Sequence, residues 1–153
     1  MLIVDSREQW TQSRSSDNHI KRYLDKHGIE YEVKKLDCGD YMMDGNPLLS
    51  IDRKQSLEEL ARNLLNRKDS SRFWREVRRC HDGGIRLVVL VESGPSVLEI
   101  NQVPKWKSKY SHVTGRRLID EMIRLEMSYG VRWVFCSKQS TGKRIIEILE
   151  EKI

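Results

Sequence analysis

"LLSIDRKQSLEEL", residues 48–60, drives an apolar run straight into Asp52-Arg53-Lys54 and then starts an amphipathic repeat with no spacer. A short apolar run bounded by turn signals reads as a buried strand. The repeat of Leu57, Leu60, Ala61, Leu64 and Leu65 follows the i, i+3, i+4, i+7, i+8 pattern of one helix face. Ser56 and Glu59 have the S-x-x-E spacing of a capping box, which sets the helix start. A strand therefore delivers three charges to its end and a helix follows at once. Side chains alternate across a strand, so Asp52 and Lys54 share one face, ~6.5 Å apart at ordinary strand rise, and Arg53 turns to the other.

Upstream, "YMM" at 41–43 reads as a strand and Asp44-Gly45 as a hairpin signal. Cys38-Gly39-Asp40 is a turn ahead of it. That hairpin brings Asp40 beside Asp52. Further back lie a short buried strand, "LIVD" at 2–5, and a polar loop at 6–16. A helix at 17–28 follows, capped by Asp17, with Ile20, Tyr23, Leu24 and His27 on one face and Gly28 past its end. "YEVKKL" at 31–36 is a strand. Downstream, a helix at 70–81 turns Phe73, Trp74, Val77 and Cys80 inward, and "RLVVLVE" at 86–92 is a central strand. Residues 93–112 are irregular. A helix at 115–129 has Leu118, Ile119, Met122, Ile123 and Leu125 on its apolar side. "VRWVFC" at 131–136 is a strand, and a last helix from Ser140 repeats Ile145, Ile146, Leu149 and Ile153. Strands alternating with helices predict an α/β sandwich with a mixed sheet in one domain, residues 1–153.

The chain carries 28 Lys plus Arg against 23 Asp plus Glu, a formal charge of +5, which makes nucleic acid the first partner to test. Cys38, Cys80 and Cys136 are far apart with no CxxC spacing, so neither a zinc site nor a disulfide framework is expected, and reduced thiols of a cytoplasmic protein are. The N-terminal apolar run is too short for a signal peptide, and no stretch approaches the ~20 apolar residues of a membrane span. "STGK" at 140–143 is no phosphate-binding P-loop, because Ser137 stands where that loop needs glycine. The four histidines are scattered and show no metal spacing.

Asp40, Asp52 and Lys54 together suit phosphodiester hydrolysis. Two carboxylates, with the Arg53 carbonyl, hold a hard divalent cation, Mg²⁺ or Mn²⁺, whose other positions go to water and phosphate. Lys54 then orients the attacking water or neutralises charge on the phosphate. Each residue alone has a structural reading: Asp52 and Lys54 as a strand-end ion pair, Asp40 as a turn residue.

Three motifs in order, "VDSRE" at 4–8, "CGDYMM" at 38–43 and "SIDRK" at 50–54, resemble the nuclease domain of the XPF/Mus81 (ERCC4-type) structure-specific endonucleases, a branch of the PD-(D/E)xK restriction-endonuclease-like fold. The resemblance runs from residue 2 to about 92 and continues more weakly through "YGVRWVFCSKQSTGKRIIEILE". It implies a three-layer sandwich and a metal-dependent endonuclease that cuts branched DNA at forks, flaps or Holliday-type junctions. It implies Asp40, Asp52 and Asp5 as metal-site acids, Lys54 as the catalytic lysine, and active-site positions for Arg7, Glu8 and Arg53. Asp52 departs from the family's usual Glu by one methylene. Either Glu58 or Glu59 matches the family's downstream acid. No helix-hairpin-helix module and no helicase, as many members carry, is expected with this domain. That matches a stand-alone nuclease of the phage or mobile-element kind, working in the cytoplasm of a bacterial or infected cell. Family members commonly pair through this domain, which implies a homodimer, with the apolar faces of the last two helices serving either the core or that dimer. The rival readings are a catalytically inactive DNA-binding or dimerisation module and a sequence-specific restriction-type enzyme.

Two basic stretches are candidate DNA contacts. In "NRKDSSRFWREVRR", Arg67, Lys68 and Arg78 accompany Arg72, Arg75 and Arg79, which fall on one helix side. The alternative there is a solvated face with Glu76 pairing locally. In "PKWKSKYSHVTGRR", Lys105, Lys107, Lys109, Arg116 and Arg117 interleave with Trp106 and Tyr110, a pattern for tracking a backbone and stacking on an unpaired base. The alternative is that Trp106 packs on the core and the lysines only solubilise.

Overall fold

β4 (Asn46–Lys54) is the spine of a six-stranded mixed sheet in the computed structural model, which describes residues 1–12 and 18–151, with backbone alone at 67–70. The strand order is β2-β1-β3-β4-β5-β6, with β1 at Leu2–Asp5, β2 at Tyr31–Lys34, β3 at Tyr41–Met43, β5 at Arg86–Glu92 and β6 at Arg132–Cys136. β3 runs antiparallel to both β1 and β4, while β1–β2, β4–β5 and β5–β6 are parallel. The 41–54 segment is thus a hairpin, closing from Met43 to Asn46 as Asp44-Gly45 predicts.

Strand parity sorts the helices into two layers. Leu87, Val89 and Val91 of β5 enter one core with α3 (Leu57–Leu65), α4 (Arg67–Asp82) and α5 (Gly115–Tyr129). Val88 and Leu90 enter a second core, with Leu49 and Ile51 of β4, against α2 (His19–Lys26) and α6 (Thr141–Leu149). β5 is buried on both sides, which is why its run is continuously apolar rather than alternating. Leu118, Met122 and Leu125 of α5, and Ile145, Ile148 and Leu149 of α6, are spent on these cores, while Ile123 and Met127 of α5 face outward.

Several boundaries differ from expectation. The 6–16 loop contains a single helical turn, α1 (Gln9–Gln12), which buries Trp10. Asp17, expected as a cap, lies outside the described residues. Asn18 caps α2 by accepting from Lys21 N. The irregular 93–112 segment contains a 3₁₀ helix at Ile100–Lys105. Ile153 is also outside the described residues.

The expectation of three reduced thiols is corrected. Cys38 and Cys80 form a disulfide with Cα atoms 5.6 Å apart, across 42 residues of sequence. The turn before β3 and the last turn of α4 meet over the first core, so two cysteines with no motif spacing become neighbours. Cys136 is free and buried. Among the described residues, no helix is long and apolar enough to cross a membrane.

Candidate active site

The end of β4 carries the site, and its two faces carry different chemistry. In register, Asp52 sits beside Val89 of β5, on the first-core side, and Arg53 beside Leu90, on the second-core side. Asp40 immediately precedes β3, and its backbone N–H donates to Ile51 O at 2.6 Å. Its carboxylate Oδ2 accepts from Arg53 N at 2.7 Å, which ties the acid to the Asp52–Arg53 peptide. The preceding residue must be glycine. Gly39 has φ +77°, and a Cβ there would collide with Ser50 Oγ. The Gly-Asp pair is therefore a steric requirement of the turn that carries Asp40.

Lys54 is buried and pinned from three sides. Its Nζ donates to Asn63 Oδ1 of α3 at 2.6 Å, stands 3.1 Å from Asp52 Oδ2, and lies 4.4 Å from the centre of the Phe73 ring. Burial opposes its charge, but the Asp52 and Glu59 carboxylates outweigh burial and hold its pKa above that of a free lysine. Asp52 Oδ2 has this ion pair yet accepts no aligned hydrogen bond, although it is fully enclosed. Burial, then the Asp52 and Glu8 charges, push the Asp40 carboxyl well above the usual carboxylate range, against the pull of the Arg53 amide. Two crowded, buried acids with a single lysine paired to one of them are a donor set that a hard cation fits. Among the described residues, no three His, Cys, Asp or Glu side chains gather as a cage. A pair of carboxylates completed by water and phosphate is the way Mg²⁺ is usually held.

The other sequence-predicted residues separate into distinct roles. Asp5 is beside Asp40 along the backbone, its N–H donating to Asp40 O at 2.8 Å. Its carboxylate is engaged elsewhere: Oδ1 accepts from Leu36 N at 2.8 Å, and Oδ2 from Arg7 Nε at 2.8 Å and Arg7 N at 3.2 Å. Arg7 also donates to Leu36 O at 3.0 Å, so Asp5 and Arg7 together fasten the 34–40 loop. Arg53 spans Glu8 Oε2 and Glu92 Oε1, each at 2.8 Å, with its side chain 8% exposed. Tyr41 OH donates to Glu8, Trp10 Nε1 donates to Tyr41 OH at 2.7 Å, and Thr141 Oγ1 donates to Glu92. This is a closed network on the face opposite Asp52 and Lys54.

Neither downstream acid joins Asp40 and Asp52. Glu59 N donates to the Ser56 hydroxyl at 3.0 Å and Glu59 Oε2 accepts from Gln55 N, which completes the helix cap. Glu58 reaches the 105–114 loop, accepting from Ser108 Oγ at 2.8 Å and Lys109 N at 2.9 Å.

Glu76, read from sequence as a local partner on a solvated helix, has another place. Its Oε1 accepts from Gly39 N at 2.9 Å, next to Asp40. Burial first and the Asp52 charge second raise its pKa. Glu92 was missed too, although "LVVLVE" ends a buried run in an acid just as "LLSID" does. Asn63 and Phe73 carry no local signal for their contact with Lys54.

Arg72, Arg75 and Arg79 are exposed, and Arg79 Nε donates to Asp37 O at 2.7 Å. The side chains of Arg67 and Lys68 lie outside the described residues. Lys105, Lys107, Lys109, Arg116 and Arg117 are exposed. Trp106 packs against the first core, whereas Tyr110 is 86% exposed.

The ERCC4 domain family matches residues 4–149. The chain belongs to the ERCC4 domain family. Among solved structures, it is similar to XPF from Aeropyrum pernix, at 20% identity and TM-score 0.70, covering 99% of this chain and 64% of that one. It is also similar to XPF from Aeropyrum pernix in complex with DNA, at 20% identity and TM-score 0.69, with the same coverage. The chain thus spans less than two thirds of those proteins, and the likeness establishes a shared fold. No curated protein sequence matches it.

Proposed function

We propose that this ERCC4-family domain is a divalent-metal-dependent endonuclease that hydrolyses phosphodiester bonds in branched DNA. The observation that carries the reading is the Asp40–Asp52–Lys54 set at the end of β4, with Asp40 fixed to Arg53 N and Asp52 paired with Lys54. Asp40 and Asp52 hold the cation, Mg²⁺ or Mn²⁺. A cation bound there supplies Lewis-acid polarisation of the phosphoryl oxygen and acidifies the attacking water. Lys54, whose charge the Asp52 and Glu59 carboxylates favour, orients the attacking water or acts as a cationic donor to the negative charge that builds on the phosphate oxygens as the water's oxygen bonds to phosphorus and the P–O bond to the leaving strand oxygen breaks. Asp5, Arg7 and Glu76 hold the loop and turn that position Asp40, and Arg53 and Glu8 lock the strand beneath. The exposed bases of 105–117 and of α4 supply the grip on the phosphates.

Incubating the purified chain with labelled fork, flap, three-way and four-way DNA, in Mg²⁺ or Mn²⁺, tests this. Cleavage near the branch is expected, lost in EDTA and in Lys54→Ala. Wild type that cuts no more than Lys54→Ala, across metals and substrates, overturns it. Junction binding without cutting would make the chain a binding module.

A further inference from the structure

Resting on the reading above, we infer that the cavity between α3, the 106–114 loop and the start of α5 takes one unpaired nucleobase of the DNA, stacked on Tyr110. The cavity has a volume of about 410 Å³, within the range of about 300–1,000 Å³ typical of small-molecule sites. Ala61, Leu65 and Val113 give it aliphatic walls, Tyr110 gives it an aromatic one, and Arg62 and Arg117 stand among its lining residues. An apolar slot for a flat ring with cations beside it matches a nucleotide: the base stacks and the phosphate meets the guanidinium groups.

The loop is built to hold Tyr110 outward. Its base is closed by a bridge between Lys107 and Thr114, by Ser108 N donating to Val113 O at 3.1 Å, and by Gly115 N donating to Trp106 O at 2.7 Å. Trp106 packs against the core from that closed base. Near the tip, Ser108 Oγ accepts from Tyr110 N and Ser111 N, both at 3.1 Å, and itself donates to Glu58. The Glu58 carboxylate also accepts from Lys109 N, so its negative charge is committed to the loop. The loop backbone is thus already ordered, so that stacking on the 86% exposed tyrosine costs the ordering of its side chain but not of the loop. Tyr110 also lines a second cavity, of about 470 Å³, that reaches Ser56, the cap of α3, and Glu92 at the end of β5. The ring therefore stands between two cavities, the base slot and one that runs along the 106–110 segment to the end of β5. A base held there would fix which phosphate, counted from the branch, is presented for cleavage.

The test uses the full chain in EDTA, with a flap DNA carrying 2-aminopurine at successive unpaired positions and a blunt duplex as the control. Stacking worth about 1–3 kcal/mol per base corresponds to roughly 5- to 150-fold in affinity. Wild type is expected to quench one flap position. Tyr110→Ala is expected to lose that quenching and 5- to 150-fold in flap affinity, with duplex affinity unchanged, and Tyr110→Trp to restore both. Val113→Arg, which fills the slot and leaves Tyr110 in place, is expected to abolish the quenching too. If wild type binds the flap and Tyr110→Ala binds it equally, or loses flap and duplex alike, the base slot is overturned while the nuclease reading stands. If wild type binds no flap, the base slot falls, and the nuclease reading is decided by the cleavage assay with metal.

Discussion

Asp52 and Arg53 are neighbours on one strand and are buried to similar depth, yet their surroundings are opposite. Arg53 faces Glu8 and Glu92, which in turn hold Tyr41 and Thr141, so that its charge is matched and its hydrogen-bonding partners are matched as well. Asp52 faces Lys54 and the charge of Asp40, with one oxygen lacking an aligned hydrogen bond. One face of β4 is electrostatically complete and the other is not. Buried polar groups are ordinarily satisfied, and unmet ones concentrate where a ligand completes them. The comparison separates what holds the strand from what reacts, and it assigns the Asp52-Arg53-Lys54 triplet to two different tasks.

The largest effect is expected on the complete face. Arg53→Met keeps much of the side-chain volume but leaves Glu8 and Glu92 facing each other in the core. Removing one partner of a buried ion pair costs about 3–5 kcal/mol, so chemical denaturation should show a loss of that order. A smaller loss than from an exposed-arginine control such as Arg72→Met would end the distinction between the faces. Next comes the incomplete face. Lys54→Met retains the aliphatic stem over Phe73 and removes the charge. Loss of one positioned electrostatic donor costs roughly 10²–10³ in turnover, measured as single-turnover cleavage of a flap DNA. It too breaks a buried ion pair, but it unpairs one acid where Arg53→Met unpairs two, so its folded state should survive better than that of Arg53→Met, and equal destabilisation would mean that Lys54 serves the fold first.

How much of this was legible follows from which contacts are local. Strand parity alone separates Asp52 and Lys54 from Arg53, and Asp44-Gly45 sets the hairpin that returns Asp40 to Asp52. The Leu57–Leu65 helix and its Ser56 cap could be read because both signals lie within a few residues. Glu76, Cys38–Cys80 and Asn63 could not be read that way. Each depends on how closely α3 or α4 approaches the sheet, and helix approach is set by the packing of Phe73, Val77 and Leu60 rather than by spacing. Glu92 was within reach, since its run ends in an acid as the β4 run does. Trp106 and Tyr110 look equivalent in sequence. Only the closure of the 107–114 loop, and its tie to Glu58, turns one ring inward and the other out.

The smallest effect sharpens the comparison most, because its sign depends on the cation. The Asp40 carboxyl is raised in the native state, so as pH rises the unfolded chain gives up this proton before the folded one does. Between the two pKa values the native state binds more protons, and stability falls with rising pH. The contribution is fully present below the unfolded value and is lost once pH passes the folded one. Asn keeps an oxygen for Arg53 N and carries no charge. Asp40→Asn should therefore melt higher than wild type in EDTA at about pH 8, with the gap closing as pH is lowered to about 4, where folded Asp40 is already neutral and the unfolded chain is taking up its own proton. Adding Mn²⁺ at about pH 8 should raise the melting temperature of wild type and leave Asp40→Asn unmoved, since only the charged acid gains a ligand. Calorimetry across that pH range, with and without metal, reads both effects. An Asp40→Asn protein that melts lower than wild type in EDTA would mean that the crowding of Asp40 and Asp52 is relieved within the fold, and the two faces of β4 would no longer differ in kind.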